Sequence, residues 1–222
     1  MLTLALSMAM MQAQGIPAQL VELQATVDGK PVGKVTYIRQ MVPGTGMSRT
    51  LVFDVDEADR KYTIKELRTY RHDGRPIKVE RTYTEDGKEL KVTVAYDGNV
   101  ANVTYSQGGE SDTDSIALIE EGATTADPSA YWFLNATPKK GDRVVFWEYD
   151  IDEVGWVERT VTYHGLADLK VGEEIVRAHR ISVGKEVNVY VDDRGMPYKM
   201  TDTSVKGTMT LVRTFPPGDG GR

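Results

Sequence analysis

The sequence predicts an all-β protein with one short helix, in which a large antiparallel meander forms an open, strongly curved barrel plugged by that helix. Three observations support this fold class. Segments of alternating apolar and polar residues fill most of the chain, without intervening helical segments. Asp-Gly pairs separate several of these segments, as in β-hairpins. Helix signals occur in a single stretch, from Asp127 to Thr137.

Four strands are predicted in the first part of the chain. Apolar side chains recur at every second position in each, which is typical of a strand with one buried face. The predicted strands are Gln19 to Val27, Lys34 to Val42, a third containing Leu51, Phe53 and Val55, and a long fourth containing Tyr62, Ile64 and Tyr70.

A β-meander is predicted next, because the Asp-Gly pairs at 73–74, 86–87 and 97–98 are spaced by strand-length segments. Its strands run from Ile77 to Tyr83, Leu90 to Tyr96 and Val100 to Ser106. The Gly- and Asp-rich segment from Gln107 to Ser115 predicts a mobile surface loop.

The predicted helix has signals at both ends. Asp127 can cap it, Pro128 fits its first position, and Pro138 prevents its continuation. Four consecutive apolar residues, Tyr131 to Leu134, would point all round such a helix. It must therefore be covered on most sides, and we expect it to plug the barrel.

A second meander is predicted after the helix. Its first strand, Arg143 to Ile151, begins apolar on both faces, which indicates a strand between the helix and a second layer. A single sheet of about a dozen strands would curl. If it curls into an open barrel, its interior needs a plug. The remaining strands are Trp156 to Tyr163, Ile175 to Val183, Val187 to Asp192, Tyr198 to Thr203 and Thr208 to Phe215.

The composition is that of a soluble globular protein, with 40% hydrophobic and 27% charged residues. The net charge of -6 argues against nucleic acid as a partner. Cysteine is absent, which excludes disulfides and cysteine nucleophiles. No segment reaches the roughly 20 apolar residues of a transmembrane span.

We expect one β-rich domain over residues 15–215 and a flexible tail over residues 216–222. Residues 1–14 contain the apolar run Leu2 to Met11, followed by small and polar residues. This run predicts either an export signal or a disordered tail, although no basic residue precedes it. With export, the protein would be periplasmic or secreted.

Three segments carry a resemblance to exported bacterial β-proteins of unknown function, related in layout to lipoprotein-carrier (LolA/LolB-like) half-barrels. They are Val27 to Gly33, Leu169 to Glu174, and Val189 to Met200 with its Asp-x-x-Gly-x-Pro hairpin. The resemblance implies an unclosed barrel with an apolar concave face and no catalysis.

One constellation stands out as a candidate ligand site, the aromatic set Tyr131, Trp132, Phe133, Phe146, Trp147 and Trp156. These side chains either line a ligand cavity or form a core that holds the plug. No catalytic residue, metal ligand or cofactor site is predicted. The three histidines lack metal-binding spacing, and nucleophile elbows, phosphate loops and dinucleotide fingerprints are absent.

The sequence therefore favours a non-enzymatic exported protein that binds a lipid, or the acyl chain of a lipoprotein, in a concave sheet. The alternative is a cell-envelope scaffold with a self-filled core, which meets a protein partner at an edge strand. A hydrolase that uses clustered carboxylates is the third hypothesis.

Overall fold

A computed structural model describes residues 17–57, 60–204 and 207–214. Within them the chain is almost entirely β-structure, as the sequence predicts. The strands are β1 (Gln19–Val27), β2 (Lys30–Val42), β3 (Gly46–Glu57), β4 (Arg60–Arg71), β5 (Pro76–Glu85), β6 (Lys88–Asp97), β7 (Val100–Gln107), β8 (Glu110–Ala117), β9 (Arg143–Asp150), β10 (Gly155–Val171), β11 (Glu174–Val183), β12 (Val187–Val191), β13 (Pro197–Asp202) and β14 (Met209–Arg213).

All 14 strands form one antiparallel sheet, in the order β8-β7-β6-β5-β4-β3-β2-β1-β14-β13-β12-β11-β10-β9. Strands that follow each other in the chain also pair in the sheet, with one exception: β8 and β9 do not pair, and they form the two edges. In addition, β1 pairs with β14. Backbone hydrogen bonds therefore do not close the sheet, and the prediction of an open antiparallel meander is confirmed.

Alternation along the strands gives the sheet an inner face. Leu23 of β1 lies opposite Val35 of β2, which lies opposite Phe53 of β3. Leu23 and Val35 are buried and share one apolar cluster with Leu211 of β14. Since side chains alternate between faces in a strand, the pattern of apolar residues fixes which face turns inward.

The Asp-Gly hairpin turns are confirmed. Gly74, Gly87 and Gly98 all have positive φ angles, of 84°, 73° and 60°. Asp86 also has a positive φ, of 50°. Tight β-hairpins require this backbone conformation, which glycine and aspartate adopt more readily than most residues.

The predicted mobile loop from Gln107 to Ser115 is wrong. Gly108 and Gly109 make a hairpin turn, and the acidic residues that follow form β8. Asp112 and Asp114 of β8 lie opposite Tyr105 and Val103 of β7. Charged residues on an edge strand discourage pairing with other chains, so the polar composition marks an edge rather than a loop.

The predicted helix from Asp127 to Thr137 is also wrong in extent. Only Pro128–Tyr131 form a helical turn, of the 3-10 type, and Asp127 caps it as expected. The backbone leaves helical geometry at Trp132, and Phe133 has a φ of 65°. A helix this short gains little from its own hydrogen bonds, so contacts with the sheet decide the conformation.

The β9 edge of the sheet lies against the inner face of the opposite end. Tyr149 of β9 is 2% exposed and packs in one cluster with Val79, Val94 and Val103. Trp156 Nε1 donates a hydrogen bond to the Ile116 carbonyl of β8 at 3.0 Å. The two ends of the sheet therefore overlap through side chains.

A network of inward-facing charges completes this overlap. Glu66 of β4 accepts hydrogen bonds from Arg68 and Arg81 at 2.6 and 2.7 Å. Glu148 of β9 accepts from Arg68 at 2.6 Å and from Arg159 of β10 at 2.8 Å. Arg68 thus joins two carboxylates that lie on opposite sides of the overlap.

The two outermost members of the network come from the end of β9 and its turn. Arg81 reaches Asp152 at 2.7 Å, and Arg159 forms an ion pair with Asp150. Three arginines and four carboxylates therefore hold β4, β5, β9 and β10 together, where the backbone of β9 makes no ladder with β4 or β5.

The predictions of an export signal over residues 1–14 and of a tail over residues 216–222 lie outside the described residues. Among the residues that the structure does describe, no helix is long and apolar enough to span a membrane.

We predict that Glu66→Gln destabilises the protein by about 3–5 kcal/mol, because it removes a buried carboxylate that compensates the charges of the partly buried Arg68 and Arg81. The matched control is Glu80→Gln on the other face of β5, where the carboxylate meets Lys78 and Lys91 at 3.0 Å. We expect at most about 1 kcal/mol for this partly exposed group. Urea denaturation monitored by circular dichroism measures both, and equal losses would contradict the role of the inner network.

Stability should also fall in acid. Burial opposes ionisation of Glu66, but Arg68 and Arg81 outweigh it and lower its pKa from 4.5 to about 2. A depressed pKa in the folded protein stabilises it above the unfolded value, and this contribution is lost as the pH falls from about 4.5 to about 2. Urea midpoints measured across this range should drop steeply, and less steeply for Glu66→Gln. A midpoint independent of pH would contradict this prediction.

Candidate functional site

A cavity of about 370 Å³ lies inside the curved sheet. Inner-face side chains of β1–β4 and β9–β14 form its wall, together with the segment 127–133 that follows β8. Its volume falls in the range of about 300–1,000 Å³ that small-molecule sites occupy. The cavity is the best candidate for a functional site.

Most of the wall is apolar. Successive inner-face positions of β11 and β12 contribute Ile181, Val183, Val187, Val189 and Val191 to it. From β13 and β14, Met200 and Leu211 extend this surface to Leu23 of β1. A wall of branched aliphatic side chains favours an apolar occupant over a polar one.

The segment 127–134 crosses one end of this cavity, beside the turns β2–β3, β4–β5 and β12–β13. Tyr131 packs against Met47 of β3 and Tyr70 of β4. On the other side, the rings of Trp132 and Phe133 meet the ring of Tyr163 of β10, edge to face, at 6.3 and 6.1 Å between centroids. The segment therefore bridges two opposite walls.

Glycines in the neighbouring turns make room for this crossing. The amide of Asp127 donates to the Gly74 carbonyl at 2.9 Å, and a Cβ on Gly74 would lie 2.5 Å from the Asp127 carbonyl carbon. A Cβ on Gly195 would lie 2.9 Å from an Arg39 nitrogen and 3.1 Å from the Phe133 ring. Both turns must therefore keep glycine for the segment to lie where it does.

Charged side chains occupy one part of the wall. Glu66, Arg68 and Glu148 face the cavity, but both oxygens of each carboxylate are held by arginines. Asp127 also lines it, and its Oδ1 caps the 3-10 turn by accepting from the Ser129 amide at 3.0 Å. Burial raises the pKa of Asp127, although Arg49 partly opposes that effect.

Two further arginines, Arg39 and Arg49, line the same cavity near the crossing segment. Arg39 donates to the side-chain oxygen of Gln19 at 2.6 Å and to the Arg194 carbonyl. Arg49 donates to the Tyr70 hydroxyl, and its guanidinium carbon lies 4.7 Å from the centre of that ring. All of these acceptors are neutral groups.

A buried histidine lies behind the crossing segment. His179 is 5% exposed, and its ring lies 4.6 Å from that of Phe133. Its Nδ1 is 2.7 Å from the Tyr163 hydroxyl and its Nε2 is 2.9 Å from Asp193 Oδ1. Both ring nitrogens are therefore hydrogen-bonded. Among the described residues, no group of three His, Asp or Glu side chains could hold a metal ion.

The structure divides the predicted aromatic set. Trp132, Phe133 and Phe146 line the cavity together. Tyr131 packs against β3 and β4 instead. Trp147 alternates with Phe146 along β9 and so points to the opposite face.

The sixth member, Trp156, packs against Tyr96 and Tyr149 outside the cavity. The structure thus brings three of the six residues together at one site. The ligand role assigned to these residues stays a prediction.

Sequence reasoning missed the charged residues of the wall. A signal was present, because Arg39 follows Val35 and Tyr37 at two-residue steps and so shares their inward face. The same alternation puts Arg49 on the face of Met47 and Leu51. Charged residues in apolar positions of a strand are candidates for a binding site.

No family model matches the chain, and a search of curated proteins also gave no match. Among solved structures, the chain is similar to the crystal structure of a β-barrel-like protein of Domain of Unknown Function DUF1849 from Brucella abortus. The similarity has a TM-score of 0.57 at 13% identity, over 90% of this chain and 96% of that one. This likeness shows the fold, an all-β barrel-like structure.

Proposed function

We propose that the protein is a non-enzymatic binding protein that holds an apolar or lipidic chain in the cavity inside its curved sheet. The observation that carries this proposal is the cavity itself, whose wall is mostly apolar and includes ten Val, Ile, Leu and Met side chains. A protein that served only as a scaffold would gain stability by filling this space with its own side chains. The cavity thus favours binding over the scaffold alternative.

The amount of binding energy available is sufficient. Each methylene that leaves water contributes about 0.8 kcal/mol, so a chain of a dozen gives roughly 10 kcal/mol. Association costs at least about 4 kcal/mol, so the net free energy is at most about 6 kcal/mol, which corresponds to a dissociation constant between micromolar and millimolar.

The carboxylates support a non-enzymatic function. Glycoside hydrolysis needs one carboxylic acid with a raised pKa and a second carboxylate free to act on the substrate or on water. Burial disfavours the ionised form of Glu148, but Arg68 and Arg159 outweigh it and lower its pKa. Glu66 and Glu148 are both engaged by two arginines, and Asp127 caps the 3-10 turn. Asp127 has a raised pKa, but neither Glu66 nor Glu148 is free to act as its partner, so the three carboxylates do not form such a pair.

Export is part of the proposal, and the apolar run from Leu2 to Met11 supports it. We predict that the mature chain begins near Gln14, since Ala13 closes the run and Pro17 begins the folded part. N-terminal sequencing of protein from the periplasm or medium of its own host measures this. Full-length chain found only in the cytoplasm would contradict export.

Chain binding is tested with N-phenyl-1-naphthylamine, an uncharged apolar probe whose fluorescence rises when it leaves water. We predict saturable binding, weakened more than tenfold by Trp132→Ala, because Trp132 covers the cavity. The matched control is Trp147→Ala. It also removes a tryptophan side chain, but from the face of β9 that points away from the cavity. Circular dichroism verifies folding of both variants.

Two results would contradict the proposal. One is the absence of saturable binding by the wild-type protein. The other is an equal effect of the two substitutions in folded variants, which would place the probe outside the cavity.

A further inference from the structure

Two arginines lie directly opposite each other on the inner face of the sheet. Arg39 of β2 and Arg49 of β3 are register partners, and both line the cavity. Side chains at such positions have Cβ atoms about 4.5–5.5 Å apart, and like charges placed there destabilise the sheet. The pair therefore carries a cost that something must offset.

Burial increases this cost. Arg39 is 5% exposed, and burial lowers the pKa of its guanidinium. The nearby positive charge of Arg49 lowers this pKa further. An arginine nevertheless stays protonated in a protein, so the positive charge cannot be relieved by losing a proton. Removing such a charge from water is unfavourable unless the charge is paired.

The other arginines near the cavity are paired with carboxylates. Arg68, Arg81 and Arg159 each contact two carboxylates. In the described part of the chain, none of the salt bridges involves Arg39 or Arg49. These two guanidinium groups instead contact neutral oxygens.

Nearby carboxylates are already committed to other partners. Asp192 lies close enough to Arg39 to affect its pKa, but it accepts hydrogen bonds from Arg213 at 3.1 Å and from the amides of Arg194 and Met196 at 2.9 Å. Asp127 lies near Arg49. Burial lowers the pKa of this guanidinium, but Tyr70, Tyr37 and Asp127 outweigh the effect of burial and raise it. The Oδ1 of Asp127, however, accepts hydrogen bonds from the amide and the hydroxyl of Ser129. The cavity thus combines an apolar wall with two arginines whose charges lack a carboxylate in contact.

We propose that Arg39 and Arg49 bind the anionic head group of an amphiphile whose apolar chain fills the rest of the cavity. The planar guanidinium group suits both carboxylate and phosphate, because its donors match two oxygens at once. The crossing segment covers this end, so that the head group lies beneath Trp132 and Phe133. This inference rests on the proposed function and deepens it.

The experiment compares two competitors that differ only in the head. Decanoate and decan-1-ol are titrated as competitors of N-phenyl-1-naphthylamine on the wild-type protein at pH 7.5. Decanoate is kept below its micelle-forming concentration and decan-1-ol below its solubility limit. We expect decanoate to bind at least tenfold more tightly than the alcohol. Decyl phosphate, as a third competitor, distinguishes a phosphate from a carboxylate as the preferred head.

Variants then assign the preference to the arginine pair. Arg49→Gln should abolish the preference, so that the ratio of decanoate affinity to decan-1-ol affinity falls from at least ten to about one. The control is Arg180→Gln on β11, an exposed arginine that also donates to a neutral side chain, that of Asn188. We expect this control to keep the full preference.

The outcomes separate the two proposals. Equal affinity of the wild type for decanoate and decan-1-ol overturns the head-group site but leaves chain binding intact. Displacement by neither competitor overturns both. The wild-type comparison needs no variant, so a failure of Arg49→Gln to fold does not remove the test. If Arg49→Gln folds and keeps the preference, the arginine pair is not the head-group site.

Discussion

The curvature of this sheet depends on the charge network that joins its two ends. Backbone hydrogen bonds connect 14 strands in a row but do not connect the first of the row to the last. Arg68 supplies one link across this gap, because it contacts Glu66 on its own strand, β4, and Glu148 on β9. Packing of Tyr149 and the hydrogen bond from Trp156 to the Ile116 carbonyl supply two others. Breaking a buried pair of this kind costs about 3–5 kcal/mol, a large fraction of the stability of a domain. This link helps to hold β9 against the opposite wall of the cavity.

The crossing segment is the second device that keeps the cavity in shape. A regular helix would present its aromatic residues in all directions, whereas the observed turn sends Tyr131 to one wall and Phe133 to the other. The wall formed by β3 and β4 and the wall formed by β10 therefore both pack against the crossing segment. Gly74 and Gly195 permit the close approach, so turns and segment form one unit at this end of the sheet.

Local patterns in the sequence predict most of the strands, although not β8. Two-residue alternation and Asp-Gly pairs act over a few residues, and they placed the hairpins around Gly74, Gly87 and Gly98. The overlap of the sheet ends depends on contacts such as Arg68 with Glu148, which are 80 residues apart. No local pattern identifies such a partner.

The errors have the same physical origin. Asp127 and Pro128 carry helix-start signals and do begin a helical turn, but tertiary contacts end it after Tyr131. The polar residues of β8 suit a loop by composition, and only pairing with β7 makes them a strand. For the candidate site, alternation could place Arg39 on the inner face. It could not show that its acceptors are neutral, because Gln19 and Arg194 reach it through the folded sheet.

The distribution of charge in the wall gives the cavity a direction. Arg39 and Arg49 lie at the end covered by the crossing segment, whereas Val183 and Val187 flank the β11–β12 turn at the other end of the sheet. An amphiphile held by its head would therefore point its chain toward that turn. Ligands with different heads would differ in their contacts at the arginines, and ligands of different length would differ at the valines. Selectivity for the head and tolerance of chain length are then properties of separate residues, and each can change without the other.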